Sequence, residues 1–160
     1  MTQEFTTENQ ALIDRLIQRY PQKQAALLPV LHIAQKQFGV INDAVMKLVS
    51  RTLDIPVNRV QDVVSFYTMY STRPVGKYHI QVCRTLSCAC RGAEPMLEYL
   101  EQQCGVKCGE GVSADGKFSI VTVECLGSCG TAPVMQVNDD YYDNLTRAKI
   151  DELIATWKRS

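Results

Sequence analysis

The residues of this chain whose types and spacing can do chemistry are its cysteines. Cys83-x4-Cys88 and Cys125-x3-Cys129 form two clips in the second half of the sequence. Four thiolates in two clips can hold a metal centre, and as soft ligands they select zinc, copper(I) or iron–sulfur clusters. Spacing does not choose among these. Two clips suit a structural tetrahedral zinc site as well as a [2Fe–2S] cluster. Nor does spacing choose the cysteines, because Cys104-x3-Cys108 repeats the second clip. Cys90, Cys104 and Cys108 read as spare thiols, buried or on the surface.

Some chemistries are excluded by spacing. No two cysteines stand as Cys-x-x-Cys, the pattern of a dithiol redox site. The repeated Cys-x2-Cys runs of bacterial-type ferredoxins are absent too. The plant-type Cys-x4-Cys-x2-Cys pattern starts at Cys83 and Cys88 but meets Arg91 where its third cysteine belongs. Gly127 and Gly130, within and just after the second clip, are expected to turn the backbone tightly and bring N–H groups towards sulfur, which favours a reduced cluster. Gly109-x-Gly111 precedes no helix and lacks the rest of a dinucleotide fingerprint. His32 is a lone histidine on a helix and reads as a core or surface residue.

Elements must position these residues. Thr7-x-x-Gln10 reads as a capping box for a first helix, which carries Leu12, Ile13, Leu16, Ile17 and Tyr20 and ends at Pro21. A second helix is expected over 24–38, starting late or kinking at Pro29 and capped by Gly39. Further helices are expected over 43–53 and 57–67, completing a small bundle. Ser71 to Gly76 reads as a linker. Beyond it the pattern changes. Tyr78, Ile80 and Val82 alternate as a strand that delivers Cys83. A helix follows over 94–103, with Met96, Leu97 and Leu100 facing inward. Asp115-Gly116 is a hairpin-like turn signal. Phe118, Ile120, Val121 and Val123 form a second strand that delivers Cys125, and 134–137 a third. Asn138 to Asp140 turns before Tyr141, and Thr146 caps a last helix to Trp157. The expected order is β-α-β-β-α, with both clips on loops just after strands. Phe66, Tyr67, Met69 and Tyr70 read as half core and half a candidate partner-facing patch.

Composition bounds the rest. In 160 residues, 46% are hydrophobic, which is enough for a core. Lys plus Arg and Asp plus Glu number 17 each, so no basic surface points to nucleic acid. No run approaches the length of a membrane span. Met1 to Gln10 is polar, with neither a signal segment nor a transit pattern. The expectation is a cytoplasmic protein, in a compartment where cysteines are more often metal ligands than disulfides.

The two clips, with Glu124-Cys125-Leu126-Gly127-Ser128-Cys129 and Ala132-Pro133, resemble the thioredoxin-like [2Fe–2S] ferredoxin family, which includes the E subunit of bacterial NADH:quinone oxidoreductase, respiratory complex I. Leu28 to Gln35, Phe38-Gly39, Val63 to Tyr67, Gln136 to Tyr142 and Leu145-Thr146 carry the resemblance over most of the chain. It implies an α+β fold, an N-terminal helical bundle (1–70) and a linker (71–76) before a thioredoxin-like α/β domain with a small central sheet (77–160). It also implies that Cys83, Cys88, Cys125 and Cys129 hold one [2Fe–2S] cluster, with Cys104 and Cys108 as bystanders. The function implied is that of an electron-transfer subunit of an NADH dehydrogenase, with no complete active site of its own. FMN and NADH would sit on a partner flavoprotein of the complex I F-subunit type, among other peripheral-arm subunits. Two alternatives stand beside it: the diaphorase subunit of an NAD-linked hydrogenase or formate dehydrogenase, and a zinc-stabilised interaction module without catalysis.

Overall fold

A computed structural model describes residues 3–160; the first two residues of the polar N-terminal stretch lie outside it. The chain divides into two compact units, Met1–Pro74 and Val75–Ser160.

The first unit is four α-helices: α1 (Thr7–Ile17), α2 (Leu27–Phe38), α3 (Asp43–Leu53) and α4 (Val57–Phe66). The cap of α1 lies one residue before the expected Thr7. Thr6 has the extended backbone of an N-cap, and its hydroxyl accepts from the Asn9 N–H at 3.3 Å. Pro29 neither kinks nor breaks a helix. A 3-10 turn over Lys23–Ala26 leads into α2, and Pro29 falls in its first turn, where a backbone N–H would lack a helical partner anyway. The Gly39 N–H closes α2 on the Gln35 carbonyl at 2.8 Å. Helical periodicity sends Ile13, Val30, Leu31, Val45, Val49, Leu53 and Val60 into one buried core. Of the four aromatic and methionine positions, Tyr70 is buried and its hydroxyl donates to the Leu28 carbonyl, Tyr67 is half-buried, and Phe66 and Met69 are exposed.

The second unit runs β1 (Tyr78–Cys83), α5 (Leu86–Cys90), α6 (Ala93–Cys104), β2 (Phe118–Val123), β3 (Met135–Val137), β4 (Asp140–Tyr142) and α7 (Arg147–Arg159). The four-stranded sheet has the order β2-β1-β3-β4. β1 and β2 are parallel, with Cys83 opposite Val123, and β3 runs antiparallel to both β1 and β4. Parallel strands need a crossover, which α5 and α6 provide. The Asp115-Gly116 signal is therefore no hairpin. It is a turn at the entrance to β2, in which the Asp115 carboxylate accepts from the Lys117 N–H at 3.0 Å. Ile80, Val82, Phe118, Ile120 and Met135 of the sheet share one core with Leu100 of α6 and Ile150, Ile154 and Trp157 of α7. Thr146 caps α7 as expected, accepting from the Lys149 N–H at 3.2 Å. Among the described residues, no helix is long and apolar enough to cross a membrane.

Candidate metal centre

Parallel pairing of β1 and β2 brings their C-terminal ends to the same edge of the sheet, and each end delivers a cysteine. Cys83 is the last residue of β1 and is buried. Cys125 comes two residues after β2 and is exposed. The flanking residues bind the two exits together: the Arg84 N–H donates to the Val123 carbonyl at 3.1 Å, and the Arg84 guanidinium pairs with Glu124 at 2.6 Å. That ion pair is open to water, so it orients the loops more than it stabilises them.

Cys88 does not lie on a loop, as its spacing from Cys83 suggests. It is buried in the five-residue helix α5, beside Cys83, Ala93, Ala132 and Val134, with Leu126 against them. Cys129 begins a 3-10 turn over Cys129–Thr131, which the Thr131 N–H holds by donating to the Ser128 carbonyl at 3.1 Å. The Cys125 and Cys129 sulfurs are 3.6 Å apart. Two thiolates on one tetrahedral metal, with bonds of about 2.3 Å, stand about 3.8 Å apart. The second pair is therefore spaced to share one metal.

The four thiols interact. Burial pushes the Cys83 thiol up, but the Thr85 hydroxyl, the Leu126 and Thr85 N–H groups and the Cys88 sulfur outweigh it and bring Cys83 below the ordinary thiol range. Burial and the Cys83 sulfur raise Cys88, opposed by the Val134 N–H, and charge on Cys83 and Cys129 raises it further. The Gly127 N–H, 3.4 Å from the Cys125 sulfur, lowers Cys125 first, helped by Cys129 and the Thr85 hydroxyl. Cys129 is raised by its hydrogen bond to Cys125 and by that neighbour's charge, with the Ser87 hydroxyl opposing. Within each clip the two thiols shift in opposite directions, one down and the other up. Gly127 does what its position suggests: its positive φ of 79° turns its N–H back onto Cys125. Gly130 does not, since it lies in the 3-10 turn without a left-handed backbone.

This arrangement fits an anionic cluster with two metals. A [2Fe–2S] cluster takes two thiolates on each of two irons, which two pairs of thiols can supply. Amide and hydroxyl donors facing the sulfurs suit the negative charge of such a group. Sequence reasoning missed Thr85 and Ser87. Their only signal was two hydroxyl residues inside the first clip.

The remaining cysteines stand apart. Cys104, at the end of α6, is buried, and burial pushes its thiol up to about 12. It is a poor thiolate and so a poor ligand. Cys108 is half-buried, with its N–H donating to Glu101 at 2.9 Å, and Cys90 is exposed at the end of α5. His32 is exposed against the Tyr70 ring, at 5.3 Å between centroids.

Comparison with known proteins gives a consistent result. The sequence model of the thioredoxin-like [2Fe-2S] ferredoxin family matches residues 13–158. The E subunit of NADH-quinone oxidoreductase from Rickettsia bellii is 41% identical over 153 residues, covering 94% of this chain and 91% of the relative. One such E subunit from Rhizobium meliloti is 40% identical over 146 residues, covering 91% of this chain and 86% of the relative. Among solved structures, an NAD+-reducing [NiFe]-hydrogenase in the air-oxidized state superposes with a TM-score of 0.73 at 22% identity. The superposition covers 84% of this chain but only 23% of the hydrogenase chain, and at that identity it speaks to the fold alone.

Proposed function

The chain belongs to the thioredoxin-like [2Fe-2S] ferredoxin family, and on that premise we propose that it is the [2Fe–2S] electron-transfer subunit of the NADH-oxidising module of a respiratory complex I. Cys83 and Cys88 hold one iron, and Cys125 and Cys129 the other. The observation that carries this reading is the delivery of Cys83 and Cys125 by the adjoining ends of β1 and β2, with the Cys125 and Cys129 sulfurs 3.6 Å apart. A bound [2Fe–2S] cluster supplies one-electron transfer. The chain's own residues hold it in place and neutralise its charge, through the Leu126, Val134 and Gly127 N–H groups and the Thr85 and Ser87 hydroxyls.

NADH gives up its electrons as hydride, which calls for a flavin to separate them. Gly109-x-Gly111 lacks the rest of a dinucleotide fingerprint, and the family reading assigns FMN and NADH to a partner flavoprotein. Cys125 and Cys129 are exposed, which leaves the centre open to that partner. Identity of 41% along nearly the whole length of a complex I relative favours complex I over the hydrogenase diaphorase, where the likeness is one of fold. The match of residues 13–158 to the thioredoxin-like [2Fe-2S] ferredoxin family weighs against the zinc module.

The test mixes the cluster-loaded chain with an NADH/NAD+ couple, with and without the FMN-bearing flavoprotein from the same source. The cluster should equilibrate with the couple only when the flavoprotein is present. Equal reduction without it, or none with it in a sample that dithionite does reduce, contradicts the reading.

A further inference from the structure

Among the described residues, four α-helix N-caps have side chains able to cap, Thr6, Asn42, Thr85 and Thr146, and one of the four does not. Thr6, Asn42 and Thr146 each accept a backbone N–H of their own helix through the side chain. Thr85 occupies the same position at α5, with extended backbone (φ −76°, ψ 167°), yet its side chain makes no capping bond. Its hydroxyl is turned instead to the Cys83 sulfur at 3.2 Å. A metal-bound thiolate has no proton and can only accept, so there the hydroxyl donates.

Resting on the cluster reading above, the geometry points to Thr85 as a positioning residue that sets the reduction potential of the centre by donating its hydroxyl to the Cys83 sulfur. Reduction adds negative charge that the ligand sulfurs share, so a donor at sulfur favours the reduced form more than the oxidised one. Main-chain donors to the ligand sulfurs, such as the Gly127 N–H to Cys125 at 3.4 Å, survive a change of side chain. Removing the hydroxyl therefore isolates its effect.

The experiment is a spectroelectrochemical titration of Thr85→Val, which keeps the branched shape without the hydroxyl, and of Thr85→Ser, which keeps the hydroxyl. Thr85→Val should load its cluster and lose about tenfold in the equilibrium constant for one-electron reduction, a fall of about 59 mV. Thr85→Ser should stay close to the unaltered protein. A cluster-loaded Thr85→Val with unchanged potential overturns the proposal, as does a Thr85→Ser that falls as far as the valine variant. Should Thr85→Val hold no cluster, Thr85→Ala replaces it and is judged by the same fall. Failure of every hydroxyl-free variant to load, while Thr85→Ser loads, would also overturn the proposal and make Thr85 an assembly contact. An unaltered protein that carries no cluster defeats the cluster reading itself, which separates the two failures.

Discussion

Cys125→Ala and Cys129→Ala should each abolish the visible absorption and the reduced-state EPR signal of the reconstituted protein, while Cys108→Ala leaves both at full amplitude. On the proposed assignment Cys125 and Cys129, with sulfurs 3.6 Å apart, share one iron, so losing either would leave that iron with a single protein sulfur. The other Cys-x3-Cys pair is not suited to take over. Burial at the end of α6 holds Cys104 protonated, and Cys108 belongs to a different loop, tied by its N–H to Glu101. Both ligand variants should also unfold at lower denaturant concentration than the loaded protein, because binding that fixes two loops adds to folding stability. A signal kept in Cys129→Ala and lost in Cys108→Ala would reverse the assignment of the two Cys-x3-Cys clips.

Gly76→Ala should cost about 3 kcal/mol of stability, read as a shift in urea midpoint with an unchanged slope. A Cβ at Gly76 would lie 2.5 Å from the Phe118 carbonyl carbon and 2.8 Å from the Lys117 oxygen. Those atoms are backbone at the start of β2, and no rotamer change relieves the clash. The Gly76 N–H also donates to the buried Ser119 hydroxyl at 3.0 Å, and His79 bonds the same hydroxyl at 2.8 Å through Nδ1. An added methyl pushes β2 away from the point where the chain enters the sheet and strains these bonds together. A midpoint equal to that of the unaltered protein would show that the entrance to β1 is looser than this packing implies.

The contrast between Gly76 and the cysteine clips shows how far the sequence could be read. Gly76 looks like any linker glycine, because its constraint comes from Phe118, forty-two positions away. β1 and β2 were legible because alternating residues report a strand with one covered face. Their parallel pairing was not, since the Asp115-Gly116 turn imitates a hairpin signal locally. α5 escaped detection because five residues are too few to show helical periodicity. Pro29 was readable only as a choice between two outcomes, which the 3-10 turn before α2 resolves. The cap of α1 was misplaced by one residue because Thr6 and Thr7 are adjacent and Gln10 completes a box only with Thr7. In the metal centre, the two clips were visible as spacing. The bystander role proposed for Cys104 rests on its burial at the end of α6, which spacing does not encode. The turn of Thr85 away from its helix and towards sulfur is a property of side-chain direction that no residue pattern records.

The central claim is that these four cysteines hold a two-iron cluster and not a structural zinc. EPR of the anaerobically purified, dithionite-reduced protein, with iron, sulfide and zinc determined on the same sample, tests it most directly. The account predicts a spin-half rhombic or near-axial signal with about two irons and two sulfides per chain. Stoichiometric zinc in protein made with ample iron, with no such signal even after cluster reconstitution, would contradict it.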